Sequence, residues 1–260
     1  MTALTHASLL AGRQLGHWRR QPSRLALEVL FPVLMLLMFG YLLGGAIAVP
    51  GGGSGAEYRD FLVPGMLALA MVFGLESTMA GVATDAAKGV TNRFRTMPIA
   101  RSAVVVGRAA ADMLASVVSL AVMLAAGVAV GWRPDSPGGA VGAVLLLLLL
   151  RWAALWIGVY LGLSVRDPQS VVAVQILVWP FAFASSAFVP VQTMPGWIAA
   201  VAQWSPLTAV VSAVRDLSGS PVAAPGWAGD RCLALAVGWC TAISAVFLVL
   251  SVRRWTRLSR

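Results

Sequence analysis

Six long apolar runs alternate with short polar stretches along the chain. Each run has close to the roughly 20 residues that a helix needs to cross about 30 Å of hydrocarbon. The runs comprise residues 27–49, 61–82, 104–130, 141–163, 171–188 and 232–252. The pattern therefore predicts an all-α integral membrane protein, one domain over residues 1–260 whose residues 27–252 form a bundle of six transmembrane helices.

The polar segments at the two ends of the chain are predicted to lie at the membrane surface. Within residues 1–24, apolar and polar positions fall on opposite faces, which predicts an N-terminal amphipathic helix along the cytoplasmic interface. The apolar face holds Leu4, Ala7, Ala11, Leu15 and Trp18, and the polar face holds His6, Arg13, His17 and Arg20. Pro22 ends this pattern, and residues 253–260 are predicted to form a cytoplasmic tail.

A proline-flanked segment follows the fifth run. Residues 189–207 contain a short apolar stretch that is too short to span a membrane. Trp197 and Trp204 favour a position of this segment at the depth of the lipid headgroups, where tryptophan is enriched. The segment therefore predicts a short interfacial or re-entrant helix, and residues 211–230, which contain several Pro and Gly, predict an outer loop.

A basic segment, DAAKGVTNRFRTMPIAR at residues 85–101, separates the second and third runs. Read as a helix, it has one apolar stripe, with basic side chains turned elsewhere, and it ends at Pro98. The stripe consists of Ala86, Val90, Phe94 and Met97. Two interpretations are open: a cytoplasmic helix that contacts a soluble partner, or an interfacial loop whose charges only orient the chain.

Composition agrees with a membrane protein, since 59% of residues are hydrophobic, 11% are charged and the mean hydropathy is +0.82. The net charge of +9 does not indicate nucleic-acid binding, because the basic residues cluster at the ends of the apolar runs. With a cytoplasmic N-terminus, the basic residues inside are Arg13, Arg19, Arg20, Arg24, Lys88, Arg93, Arg95, Arg101, Arg108, Arg166, Arg253, Arg254, Arg257 and Arg260; those outside are Arg59, Arg133, Arg215 and Arg231. This imbalance predicts that both termini are cytoplasmic.

Motifs for catalysis are missing from the sequence. A phosphate-binding loop requires Gly-Lys followed by Ser or Thr, whereas the only lysine, Lys88, is followed by Gly89. The sequence contains no HExxH motif, no GxSxG motif and no Cys/His cluster at metal-ligand spacing. We therefore expect no catalytic residue, metal or cofactor in this chain, and any ATP-driven step must come from another chain.

Two ionisable residues, Glu76 and Arg151, lie well inside the apolar runs, whereas Glu28 and Asp112 lie near run ends, where they can reach water. A charge in hydrocarbon costs at least about 2.5 kcal/mol, so such residues are candidates for function. Two interpretations are open here as well. The two side chains form a buried ion pair that fixes helix packing, or they line a substrate path.

Three stretches of the sequence resemble a known family. They are KGVTNRFRTMPIARSAVVVGR within residues 85–108, FVPVQTMPGW and WSPLTAVVSAVRDL within residues 188–216, and, more weakly, WIGVYLGLSVRDPQSV at residues 156–171. In this order they resemble the ABC-2 family of ABC-transporter permeases, most closely the daunorubicin/doxorubicin-exporter type of bacterial membrane subunit. Many relatives carry Glu where Asp85 stands.

The resemblance implies the membrane subunit of an ATP-driven exporter for an amphipathic drug, lipid or similar substrate, located in a bacterial cell membrane. It implies a separate ABC ATPase, which binds ATP and Mg, and a second permease that is an identical or related chain. It further implies that the segment between the second and third spans couples to the ATPase. Val90 and Phe94 would be apolar anchors, and Arg93 and Arg95 would face acidic residues of the ATPase. The predicted coupling residues are Asp85, Lys88, Gly89, Val90, Arg93, Phe94, Arg95 and Pro98.

Alternative functions predict other sequence features. A glycan-exporting permease shares the architecture, and the residues do not separate it from a drug exporter. A self-sufficient secondary transporter predicts an internal repeat, and the segment after the fifth run has no counterpart after the second. A membrane-bound transferase predicts clustered carboxylates or histidines at the cytoplasmic face, which the sequence lacks.

Overall fold

The computed structural model describes residues 22–42, 55–87, 101–165, 169–220 and 227–258, and these ranges are almost entirely helical, with no strand among them. The helices are α1 (Pro22–Leu42), α2 (Gly55–Ala87), α3 (Arg101–Ala129), α4 (Pro137–Ser164), α5 (Gln169–Phe183), α6 (Gly196–Gln203), α7 (Pro206–Ser218), α8 (Trp227–Asp230) and α9 (Cys232–Leu258), with a 3₁₀ turn at Val191–Thr193. The predicted N-terminal interfacial helix and residues 88–100 of the predicted coupling helix lie outside the described residues.

Four of these helices are long and apolar enough to cross a membrane, in α2, α3, α4 and α9. Helices α6 and α7 make a fifth candidate span if they are counted together, although they meet at a bend of 77°. The apolar parts of α1 and α5 are shorter, Leu30–Leu42 and Val171–Phe183. The chain is thus an all-helical membrane protein with four or five candidate spans in the part of the chain that the structure describes, where the apolar runs predict six.

The bundle is built around α2, whose residues 61–71 are all buried. Glycines let α4 approach it closely: a Cβ on Gly158 would lie 2.8 Å from the Leu75 carbonyl oxygen, and one on Gly162 would lie 2.8 Å from that of Met79. Small residues at such positions bring helix backbones into direct packing. Helix α9 packs on α4 and α7 with Cys232, Ala236, Cys240 and Ser251 buried, and part of its remaining apolar surface, including Val249, is exposed.

Successive long helices run in opposite directions. Gly40 near the end of α1 faces Leu62 near the start of α2, and Gly127 near the end of α3 faces Val63. We call the end of the bundle that holds Val63, Trp132 and Arg215 the upper end. The opposite end, which holds Asp85 and Arg108, is the lower end, and here α2 passes to α3 through residues 88–100.

The prediction of an outer loop over residues 211–230 is wrong for its first part, because α7 continues to Ser218. Val210, Val211 and Val214 are completely buried, so this stretch packs into the bundle. Gly219 ends the helix in the left-handed conformation at φ 77°, where glycine is favoured. Helix α9 continues to Leu258, through most of the residues of the predicted cytoplasmic tail.

Candidate functional site

The lower end of the bundle holds an ion-pair cluster at the point where residues 88–100 leave and rejoin the helices. The Arg108 Nη1 lies 2.5 Å from the Asp85 Oδ2, and the Arg108 Nε lies 3.7 Å from the Asp112 Oδ2. A glycine makes the approach possible, because a Cβ on Gly81 would overlap the Arg108 guanidinium. The cluster therefore fixes the spacing between the ends of α2 and α3.

The members of this cluster differ in exposure. The side chains of Arg108 and Asp112 are 16% and 13% exposed, whereas that of Asp85 is 47% exposed. Exposed ion pairs contribute little because water screens them, and partial burial raises the contribution. Arg108 is therefore a mostly buried cation between two carboxylates, and Asp85 is the member that reaches solvent beside residues 88–100.

A second polar cluster lies inside the bundle around Arg151, which is 1% exposed. Its Nε donates to the Ser116 Oγ at 2.6 Å, and its Nη2 donates to the Thr78 Oγ1 at 2.8 Å. The guanidinium packs on α2 at Gly74, where a Cβ would lie 2.8 Å from the Arg151 Cζ. One side chain of α4 thereby connects α2 and α3 in the middle of the bundle.

Glu76 occupies a different side of α2 from the one that meets this guanidinium. Gly74 and Thr78 lie one turn apart on the face next to Arg151. At about 100° per residue, Glu76 leaves the helix about 180° away from the middle of that face. Glu76 is half-buried. Its predicted pairing with Arg151 stays a prediction.

Aromatic rings from three helices meet on this other side of α2. Phe73, on the turn before Glu76, has its ring centroid 5.0 Å from that of Trp179 of α5 and 6.2 Å from that of Phe31 of α1. The rings of Phe31 and Trp179 lie 5.9 Å apart and nearly perpendicular, at 86°. Such edge-to-face packing is favourable for aromatic pairs. We call Phe31, Phe73 and Trp179 the aromatic cluster.

A third polar cluster lies at the upper end of the bundle and was not predicted from the sequence. Arg215 of α7 is 3% exposed, and its Cζ lies 3.6 Å from the centre of the Phe61 ring. Its Nε donates to the Phe61 carbonyl oxygen at 3.0 Å, and its Nη2 donates to the Ser186 carbonyl oxygen at 2.8 Å. Gly65 allows the same close packing, since a Cβ there would overlap the Ala187 carbonyl oxygen.

Only part of the predicted site is brought together. Of the predicted coupling residues, Asp85 lies in the described part of the chain and Lys88 to Pro98 lie outside it. Among the described residues, no group of three or more His, Cys, Asp or Glu side chains is arranged to hold a metal ion. The one sequence signal for the Arg215 cluster was an arginine in LTAVVSAVR, a stretch that is otherwise uncharged and mostly apolar.

Comparison with known proteins gives one family and several relatives. Residues 5–217 match the family described as ABC-2 type transporter. The chain is 35% identical over 243 residues to the daunorubicin resistance ABC transporter permease protein DrrB1 of Streptomyces coeruleorubidus, covering 93% of this chain and 82% of that protein.

Two further relatives are more distant. The probable doxorubicin resistance ABC transporter permease protein DrrC of Mycobacterium tuberculosis is 24% identical over 88% of this chain and 84% of its own length. The putative transport permease ycf38 of Porphyra purpurea is 26% identical over 76% of this chain and 68% of its own length. Nearly the whole chain is therefore similar to proteins named as permeases.

Proposed function

The chain belongs to the ABC-2 type transporter family as a permease subunit of an ABC exporter, and from that premise we propose that it carries an amphipathic drug or similar substrate across a bacterial cell membrane. The observation that carries the proposal is the 35% identity, over 93% of this chain, to a permease named for daunorubicin resistance. The exposed apolar and aromatic side chains of α1 and α5 are suited to contact with such a molecule.

The family implies an ATPase partner, which we propose is a separate ABC ATPase subunit that binds ATP and Mg. The sequence supports this because its only lysine, Lys88, is followed by Gly89, which does not form a phosphate-binding loop. We further propose that two permeases, identical or related, pair within the membrane. The exposed apolar surfaces of α1, α5 and α9 leave room for such a neighbour as well as for lipid.

We propose that both termini are cytoplasmic and that α1 and α5 complete a set of six spans. The excess of basic residues predicted on one side supports this orientation, because cytoplasmic segments are enriched in Lys and Arg. Under this proposal the lower end of the bundle faces the cytoplasm. The bent pair α6 and α7 then lies at the outer side.

The contact with the ATPase is proposed to lie between α2 and α3, at Asp85, Lys88, Gly89, Val90, Arg93, Phe94, Arg95 and Pro98. The Asp85 and Arg108 pair supports the assignment, because it ties together the two helix ends from which this segment emerges. Movement of the segment is thereby passed to both α2 and α3. Apolar anchors and basic rim residues are the usual composition of such a contact.

Co-purification with the ATPase tests the proposed function. The tagged chain is expressed with and without the ABC ATPase encoded beside its gene, extracted in detergent and assayed for ATP hydrolysis. We expect the ATPase subunit to co-purify in a stable ratio and its hydrolysis to depend on the permease. A chain that purifies alone and transports without the ATPase would favour a secondary transporter instead.

Exchange of the charges at the lower end tests how Asp85 acts. We expect Asp85→Arg and Arg108→Asp each to reduce permease-dependent ATP hydrolysis about tenfold, because each places like charges together and loses about 1–2 kcal/mol of interaction. The double variant is expected to recover part of the activity, because the exchanged pair attracts again while Asp112 still faces the new carboxylate at position 108. Arg254→Asp, an exposed change on α9, is the control. A double variant no more active than Asp85→Arg alone would mean that Asp85 contacts the ATPase directly rather than acting through Arg108.

A further inference from the structure

Helix α9 is the candidate span that the bundle covers least. Only 11% of its most apolar stretch is buried, against 61% of that of α2. Its buried side chains, among them Cys240 and Ser251, follow one face of the helix. Trp255 extends this face near the lower end, where it packs on the apolar cluster that contains Trp156. The rotation of α9 about its axis is therefore fixed, and its opposite face points out of the bundle.

The outward face of α9 carries valines that lead to an arginine. Val246, Val249 and Arg253 are spaced by three and four residues, so they share one face, about 140–160° around the helix from the buried Ser251. Val246 and Val249 are 54% and 44% exposed, and Arg253 is exposed as well. We call Val246, Val249 and Arg253 the α9 strip. It is apolar over its first turn and ends in a cation.

The length of α9 places this strip in the membrane. Residues 232–252 hold no charged side chain and measure about 30 Å at 1.5 Å per residue, which is the thickness of the hydrocarbon core. Arg253 is thus the first charged residue below the hydrocarbon, at the depth of the lipid phosphates. Among the described residues its side chain has no ion-pair or hydrogen-bond partner, and α9 contains no acidic residue to supply one.

We propose that the α9 strip binds an anionic phospholipid in the leaflet at the lower end of the bundle. The lipid phosphate lies on the Arg253 guanidinium, whose planar set of N–H donors matches phosphate oxygens, and the acyl chains lie along Val246 and Val249. Basic residues that directly follow a transmembrane helix attract anionic lipids. A zwitterionic lipid fits less well, because its own ammonium group cancels the charge of the phosphate.

Depth and charge favour a lipid over a protein on this face. A soluble protein can reach Arg253, but Val249 and Val246 lie about 6 and 10 Å further into the hydrocarbon. A second copy of this chain could cover the valines, but the polar segments predicted at the lower end are mainly basic, so it would bring like charge to Arg253. An anionic lipid supplies the apolar chains and the negative charge at the two depths required.

Two lipids with identical acyl chains and different headgroups test the site. The full tagged chain is co-expressed with the ATPase encoded beside its gene, purified and delipidated in detergent, and titrated with phosphatidylglycerol or phosphatidylcholine in native mass spectrometry. We expect phosphatidylglycerol to bind about fivefold more tightly, and excess inorganic phosphate not to displace it. Equal binding of the two lipids would overturn the charge preference. Displacement by phosphate alone would show a site for a free anion instead of a lipid.

Substitutions of two neighbouring arginines separate a defined site from general attraction at the helix end. We expect Arg253→Gln to weaken phosphatidylglycerol binding about fivefold and to leave phosphatidylcholine binding unchanged, because a charge-assisted hydrogen bond to the phosphate is lost. Arg253→Lys should retain the preference for phosphatidylglycerol. The matched control is Arg254→Gln, which removes an equally exposed charge about 100° around the helix and should change binding less than twofold. Equal losses in Arg253→Gln and Arg254→Gln would overturn the assignment.

The apolar part of the α9 strip is tested in the same way. We expect Val249→Ser to weaken both lipids equally, by about twofold, since the acyl chains are common to them. The control is Val237→Ser, an exposed valine about 18 Å higher on α9, which should have no effect. Unchanged binding of both lipids in Val249→Ser would contradict contact of the acyl chains with this face.

The mass of each complex also reports its protein subunits. If Arg253→Gln loses the ATPase or a second permease while phosphatidylglycerol binding is unchanged, the outward face of α9 is a protein contact and the lipid proposal fails. The lipid titration is read on the permease whether or not the ATPase is present. Absence of the ATPase from the wild-type preparation would therefore contradict the proposed function without deciding the lipid site, which stands or falls on the headgroup preference.

Discussion

Phe94→Asp is expected to abolish permease-dependent ATP hydrolysis and transport while the chain still inserts into the membrane. The apolar stripe of residues 85–101 is the proposed anchor in the ATPase, and Phe94 is its largest side chain. Removal of a central aromatic anchor costs about 2–4 kcal/mol, and a buried carboxylate in its place adds to this loss. A decrease in affinity of at least about thirtyfold is expected.

Asn92→Asp is the matched control for this substitution. It adds the same charge two residues away, about 200° around the predicted helix from Phe94, and it barely changes side-chain size. The measurement is ATP hydrolysis and ATPase recovery after affinity purification of the tagged permease. Normal recovery with Phe94→Asp, or an equal loss with Asn92→Asp, would contradict the assignment of the apolar stripe as the anchor.

The helices of the bundle that the sequence predicts best are those whose apolar runs are long, even where a single charged residue interrupts the run. The predicted run 61–82 falls within the candidate span Glu57–Asp85, and the run 141–163 falls within Pro137–Ser164. High average hydrophobicity over more than 20 residues identifies such helices without any knowledge of tertiary contacts. The family resemblance, carried by ordered motifs over most of the chain, is confirmed by the match to the ABC-2 type transporter family.

The fifth run is a case in which hydropathy does not predict where the helix ends. The run 171–188 predicts one continuous helix, whereas α5 ends at Phe183 and the chain continues through turns. Residues 185–188 are buried although they are not helical. Their polar groups are satisfied by distant partners: the Ser186 amide donates to the Thr208 Oγ1, and Arg215 donates to the Ser186 carbonyl oxygen. An apolar turn that is stabilised by tertiary contacts has the same hydropathy as a helix.

The polar clusters are the least predictable part, because their members are far apart in the sequence. Arg151 reaches Thr78 across 73 positions and Ser116 across 35 positions. The sequence marks Arg151 as unusual but does not supply its partners. The sequence also indicates Glu76 as a candidate partner, and the pairing of Glu76 with Arg151 stays a prediction.

Arg215→Met is expected to destabilise the fold more than any other single change at the upper end. The methionine fills similar space but donates no hydrogen bond, so the carbonyl oxygens of Phe61 and Ser186 lose a buried donor. Each buried acceptor without a donor costs about 1–3 kcal/mol. Removal of the buried arginine charge also removes the desolvation cost of that charge, which offsets part of this loss. The two backbone carbonyl oxygens, however, stay buried without their arginine donor. We expect a net loss of about 3 kcal/mol and a melting temperature lower by about 5–10 °C.

The control is Arg133→Met, which removes an exposed arginine near the same end of the bundle and should leave the melting temperature within about 1 °C. Arg215→Lys separates charge from geometry: a lysine keeps the charge but has no planar fork to reach several carbonyl oxygens, so we expect an intermediate loss. Melting is followed in detergent by size exclusion of the heated protein. A melting temperature of Arg215→Met equal to that of Arg133→Met would show that α7 is held by apolar packing alone. A large difference would identify Arg215 as the side chain that fixes the bent pair α6 and α7 to the upper end of α2.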